Sequence, residues 1–405
     1  MMPLLRACVA LAVAATATAA GSKPPALRVV VMAGQSNMVG HGYAEGSTLH
    51  WNATSSNPCG GTAGGCVDNK PDLPPNLNGS LLTPEFSFLG TAGAWKTRDD
   101  VWVVYNESAA DDGVPAFPEG DSGYWAGELS VGFGGDHKGV VGNHTEVGPE
   151  LGFGWALGEA SSAEQQQQVL LIKTAWGGKT IDVDFRPPSS GGTVGPYYTW
   201  MLREVADALA KLDTLFPAYK QIGSYELAGF VWHQGWNDAC RAGGADPTHY
   251  EADLANLIRD VRKDLKAPHM KVVVGTSGMC GFPNKKYPQG YQHCAGACAT
   301  LAGPIIGGQL AVGNTTKYPE FEGNVAAVET RGFHYDMEQS AGNQCCTPAP
   351  LFGLDFVLPR SHASGERVYL TCVGLLRADH WNNNAQSYWH MGQALGKAFL
   401  AMLDE

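Results

Sequence analysis

Apolar residues along the chain recur in two periods. Five short runs are dominated by them: Leu27–Met32, Val169–Lys173, Leu227–Trp232, Lys271–Gly275 and Asn324–Val328. Runs of this length rich in Val, Ile and Leu predict parallel strands buried on both faces. Between several of them the spacing changes to three and four. Leu202, Val205, Leu209, Leu212 and Leu215 form one apolar stripe, and Tyr250, Leu254, Leu257, Ile258, Val261 and Leu265 form another. Asp246-Pro247 provides a cap and a first-turn proline for the second helix, while Lys263 and Lys266 complement the dipole at its other end. A last helix carries Tyr388, Met391, Leu395, Phe399 and Met402. Strands alternating with helices predict an α/β fold, a parallel sheet with helices on both faces.

Three stretches interrupt this pattern, at about 41–147, 281–320 and 333–378, each rich in Gly, Pro, Asn and Asp. No second periodic core is visible in them, so they read as long insertions on one domain spanning 20–405. The short Gln165–Gln168 run reads as a solvated helix end.

The first residues change the picture of where the chain works. Arg6, the apolar Ala7–Ala15 and the small-residue site Ala17-Thr18-Ala19 have the form of a secretory signal peptide, 1–19. That predicts a secreted or lumenal protein. The apolar stretch is too short to span a bilayer and no later run is longer, so no membrane insertion is expected. Without Arg6 the chain holds 26 basic against 39 acidic side chains, a net charge of −13. Such a balance disfavours nucleic acid and anionic membrane surfaces as partners.

Cysteines and glycosylation patterns agree with that compartment. Of ten cysteines, Cys8 lies in the leader, and most of the remaining nine sit in Gly/Pro-rich stretches, as loops stapled by disulfides do. Cys294 and Cys298 lack the paired set that a zinc site needs, so no metal is expected. Asn-x-Ser/Thr acceptors occur at Asn52, Asn78, Asn106, Asn143 and Asn314.

The candidate chemistry stands at strand ends. The first strand stops in Gly34-Gln35-Ser36-Asn37-Met38, the second in Thr174-Ala175-Trp176-Gly177-Gly178-Lys179, and the third in His233-Gln234-Gly235-Trp236-Asn237-Asp238. Asp379-His380-Trp381-Asn382 precedes the last helix. Ligands of open α/β sheets bind beyond the carboxyl ends of the strands. Acyl transfer needs a nucleophile, a base and oxyanion donors, roles open to Ser36, His380, the Gly177 N–H and the Asn237 amide. Each has a structural alternative: Ser36 or Asn237 as a helix cap, the glycine pair as a tight turn, His380 as a core or surface ring.

Those blocks resemble the SGNH hydrolase superfamily, in the branch of sialate O-acetylesterases and plant-type acetylxylan esterases. The likeness is carried by Gly34-Gln35-Ser36-Asn37-Met38, Gly177-Gly178, Gly235-Trp236-Asn237-Asp238 and His380, with Gly148-Pro149-Glu150-Leu151 resembling a helix start in that branch. The resemblance implies a three-layer α/β/α sandwich of flavodoxin-like order with about five parallel strands. It implies deacetylation of an O-acetylated carbohydrate by Ser36 and His380, without metal or organic cofactor, with the Ser36 and Gly177 N–H groups and Asn237 Nδ2 holding the oxyanion. No Gly-x-Ser-x-Gly elbow of the ordinary α/β-hydrolase kind is present.

One departure stands out. Where this branch usually places an Asp three residues before the histidine, the chain has Arg377. A Ser-His dyad is therefore expected, with Asp379 or Glu329 as candidate third members. Trp236 and Trp381 are the candidate sugar platforms, whereas Trp232 reads as core. Gln35 and Gln234 are candidates for binding substrate hydroxyls or for bracing the loops. Two other functions fit the same pattern: an esterase for lipid or aryl esters, and a carbohydrate-binding protein that kept the fold.

Overall fold

The computed structural model of the chain describes residues 25–45, 79–106, 124–135, 146–161, 167–278, 281–282, 297–334, 346–348, 357–361, 367–372 and 378–404. The leader, Asn52, Asn78, Asn143 and Arg377 lie outside the described residues. The main sheet has seven strands: β1 (Leu27–Gly34), β2 (Arg98–Asn106), β3 (Tyr124–Leu129), β4 (Val169–Ala175), β5 (Tyr225–His233), β6 (Lys271–Gly275) and β7 (Val325–Val328). Their order is β7-β6-β5-β1-β4-β2-β3, with every neighbouring pair parallel except β2 and β3. The five strands legible in the sequence thus lie in flavodoxin-like order, β1 flanked by the second on one side and the third on the other.

The period of two along β1 explains the layers. Val30 and Met32 face a cluster containing Leu151, Phe153, Tyr388, Leu395 and Phe399. Val29, Val31 and Ala33 face the opposite one, with Met201, Val205, Leu254 and Ile258. Both faces of the strand are buried, as its unbroken apolar run requires. The helices that cover the sheet are α2 (Pro149–Ala160), α3 (Pro196–Ala210), α5 (Tyr250–Asp264), α6 (Ala297–Ala311) and α7 (Ala385–Leu403); α1 (Ser36–Val39) and α4 (Trp236–Ala239) are single turns in the motif loops. Helices α2 and α7 pack closely because Gly152 carries no side chain: a Cβ there would lie 2.2 Å from the Trp389 carbonyl oxygen. Among the described residues no helix is long and apolar enough to cross a membrane.

The structure corrects the sequence-based outline in three places. The insertion at 41–147 extends the main sheet, since Val101–Tyr105 pair in parallel with Val169–Lys173 and β3 closes the edge. The insertion at 281–320 contains α6, although Pro304 lies within it. The stripe from Leu202 to Leu215 is broken: α3 ends at Ala210, and Leu212–Leu215 forms a separate turn. The face that α3 buries carries Tyr197, Tyr198, Met201, Glu204, Val205 and Ala208, leaving Leu202 only partly covered.

Candidate active site

The strand order turns at β1, and the crevice beyond its carboxyl end is where ligands of such sheets bind. Gly34 makes the turn out of β1 possible. Its φ is +155°, and a Cβ would sit 2.1 Å from the His233 carbonyl oxygen at the end of β5. Ser36 opens α1 and is 7 % exposed.

A chain of amide contacts joins this turn to the loop after β5. The Gly235 N–H donates to Gln35 Oε1 at 2.9 Å and the Asn237 N–H to the same oxygen at 3.4 Å. Backbone N–H groups can only donate, so they identify Oε1 as the acceptor end of Gln35. Gln35 Nε2 then donates to Asn237 Oδ1 at 2.7 Å. With its oxygen so occupied, Asn237 turns Nδ2, a pure donor, to its other side.

A second tie links the loops after β4 and β5. Asp238, fully buried, accepts from the Ile181 N–H at 3.0 Å, the Asp182 N–H at 3.2 Å and Gln234 Nε2 at 2.5 Å. Burial pushes its carboxyl up to about 7, with those hydrogen bonds opposing the shift. Gln234 Nε2 also donates to the Lys179 carbonyl oxygen at 2.8 Å. The segment that begins Gly177-Gly178-Lys179 is thereby fixed against the one that carries Asn237.

His380 lies, buried, in the 3₁₀ turn Ala378–Asn383. Tyr388 OH donates to Asn37 Oδ1 at 2.8 Å and stands 3.4 Å from the His380 carbonyl oxygen. One hydroxyl therefore touches both the serine block and the histidine turn. The His380 ring stacks on His41, centroids 4.2 Å apart and planes 19° from parallel. The Asn383 amide donates to the His41 carbonyl oxygen at 2.8 Å.

Several candidates take places other than those considered. Trp381 is 1 % exposed and belongs to the core, so it offers no platform to a sugar. Its φ of +54° turns the ring inward, with the rings of His233 and His334 nearby at 6.4 and 6.1 Å. Trp236 is partly buried against that same cluster, and Trp232 is core. Gln35 and Gln234 spend their amides on the loops, which is the bracing alternative. Glu329 is occupied by Arg331, at 3.0 and 2.6 Å, and by Thr276 Oγ1 at 3.2 Å. Burial raises the Glu329 carboxyl, but the Arg331 hydrogen bonds outweigh it and hold the group below its ordinary value. Asp379 lies in the 3₁₀ turn.

Sequence reasoning gave Tyr388 only a place in the apolar stripe of the last helix and passed over His41, which no periodic signal marks. It also passed over Lys173, whose signal was visible as a lone charge within an apolar strand. Lys173 Nζ bonds Glu150 Oε2 at 3.0 Å and the carbonyl oxygens of Val39 and Phe133, with both charged side chains fully buried. Glu150 Oε1 in turn accepts from the Gly148 N–H at 2.8 Å. This network fastens the end of α1 to the start of α2.

Residues 135–295 match the family model described as carbohydrate esterase, sialic acid-specific acetylesterase. Over that segment the chain is similar to carbohydrate esterases. The matched segment contains Gly177 and Asn237 and leaves Ser36 and His380 outside it. No curated protein matches the chain. Among solved structures it is similar to a protein from Arabidopsis thaliana (14 % identity, 93 % of this chain and 99 % of that one, TM-score 0.45). It is also similar to NanS (14 % identity, 94 % and 99 %, TM-score 0.44). A carbohydrate acetylesterase from Xanthomonas citri aligns at 11 % identity over 74 % of this chain and 49 % of that one, TM-score 0.35.

Proposed function

We propose that the protein is a secreted esterase that removes O-acetyl groups from sialic acid or an acetylated polysaccharide through an acetyl-enzyme. Ser36 Oγ attacks the acetyl carbonyl carbon while a ring nitrogen of His380 takes its proton. The developing oxyanion is held by the Ser36 and Gly177 N–H groups and by Asn237 Nδ2. The bond to the sugar oxygen breaks, and His380 returns the proton to that oxygen. Water then attacks the acetylated serine, again giving its proton to His380, and acetate leaves. The observation that carries this reading is the Gln35–Asn237 bond, because it occupies Asn237 Oδ1 and so fixes the amide that presents the neutral donor Nδ2 in advance. A preset donor costs no reorganisation when charge develops.

Acetate release by the purified protein tests the proposal, with O-acetylated sialic acid, acetylated xylan and a chromogenic acetate as substrates and Ser36→Ala as control. Release from a sugar that vanishes in the control supports it, and the preferred sugar names the substrate. A folded protein that binds one of these sugars and releases nothing overturns it in favour of a carbohydrate-binding role. Secretion is supported by the leader pattern and by the acceptor asparagines, of which Asn314 is exposed. Expression in a eukaryotic secretory host should yield a glycosidase-sensitive protein in the medium; an intact leader on unglycosylated protein inside the cell would contradict it.

A further inference from the structure

A histidine base needs its ring held in one plane, and the imidazolium it becomes needs stabilising. An aspartate commonly supplies both. Here the position three residues before His380 is Arg377, and Glu329 is occupied by Arg331 and Thr276. One neighbour that the structure places against the His380 ring is His41, five residues beyond Ser36 on the same loop.

We infer that His41 is a positioning residue for His380, fixing its ring plane and lending a π face to the imidazolium formed when His380 takes the Ser36 proton. The inference rests on His380 acting as the base. The two rings are 4.2 Å apart at 19°, a stack that covers one face of His380. Both residues are buried, and a buried π face against a cation counts for more than an exposed one. His41 is itself held. Its carbonyl accepts from the Asn383 side-chain amide, three residues after His380, so a side-chain-to-backbone bond ties the two segments beside the stack.

Two substitutions separate this role from simple space filling. His41→Phe keeps a flat π face, whereas His41→Leu fills the volume without one. We expect H41F to keep kcat within about threefold of the parent, and H41L to lose roughly tenfold or more in kcat with KM unchanged. In an His380→Ala background H41L should cost nothing further, because the ring it positions is gone. Equal kcat for H41F and H41L, or an undiminished H41L loss in the H380A background, would overturn the inference while leaving His380 as the base. Full activity in H380A alone would instead remove the base reading, and this inference with it. Thermal melting of each variant shows whether a lost rate reflects a lost fold.

Discussion

Gln35 and Asn237, 202 positions apart in the chain, meet at 2.7 Å with the glutamine amide donating to the asparagine oxygen. The bond binds the block that carries Ser36 to the block that carries Asn237, the proposed oxyanion donor. Gln35→Ala removes it and leaves Asn237 free to rotate. An oxyanion-hole donor contributes about 100- to 1,000-fold in kcat, so we expect a fall of roughly 100-fold with KM little changed. Steady-state kinetics on a soluble acetyl ester checks this, and a Q35A enzyme with normal kcat would show that Asn237 needs no such support.

The Lys173–Glu150 pair should behave as a buried ion pair does when one partner is taken away. Lys173→Met strands Glu150 without its counter-charge, and the expected loss of stability is about 3–5 kcal/mol. Adding Glu150→Gln should return part of it. Urea unfolding of the single and double variants measures both, and equal stabilities would deny the coupling.

Glu204 sets a pH dependence. Burial raises its carboxyl to about 8, against a hydrogen bond with Thr174 that lowers it. A carboxyl raised in the folded state binds its proton more tightly there than in the unfolded chain. Its contribution therefore erodes as pH rises from its ordinary 4.5 towards 8. Glu204→Gln removes that slope. The melting temperature of E204Q should exceed the parent's at pH 8 by more than at pH 5, and parallel profiles would contradict the assignment.

Cys240, directly after α4, is bonded to Cys298 in α6 across 58 residues of chain. Closing a loop of that length contributes about 4 kcal/mol in the chain-entropy account. Cys240→Ser should lower the unfolding midpoint accordingly, and it loosens the turn that carries Asn237. A C240S protein with unchanged midpoint would mean that packing of α6 suffices.

Much of this architecture was legible in the residues. The five core strands announce themselves because Val-, Ile- and Leu-rich runs have no other stable place than a sheet covered on both faces. Strand β2 escaped notice because its partner, β4, lies some 70 residues on and its own segment sits in a polar insertion. Helix α6 was hidden by Gly303, Pro304, Gly307 and Gly308; its stability comes from packing against α4 and α5 and from the disulfide, not from propensity. At the site, residue types and order were readable but directions were not. Nothing local says that Trp381 turns inward through a positive φ, that Gln35 spends its amide on Asn237, or that His41 folds back onto His380. Those are consequences of long-range contact.

The central claim is that Ser36 carries the acetyl group during the reaction, and rapid acid quench during turnover followed by peptide mass spectrometry tests it most directly. The account predicts a peptide containing Ser36 heavier by one acetyl group, absent from Ser36→Ala, whose acetate release should be nearly abolished. Undiminished hydrolysis in S36A, or an acetyl group trapped on another residue that turns over at the catalytic rate, would contradict it.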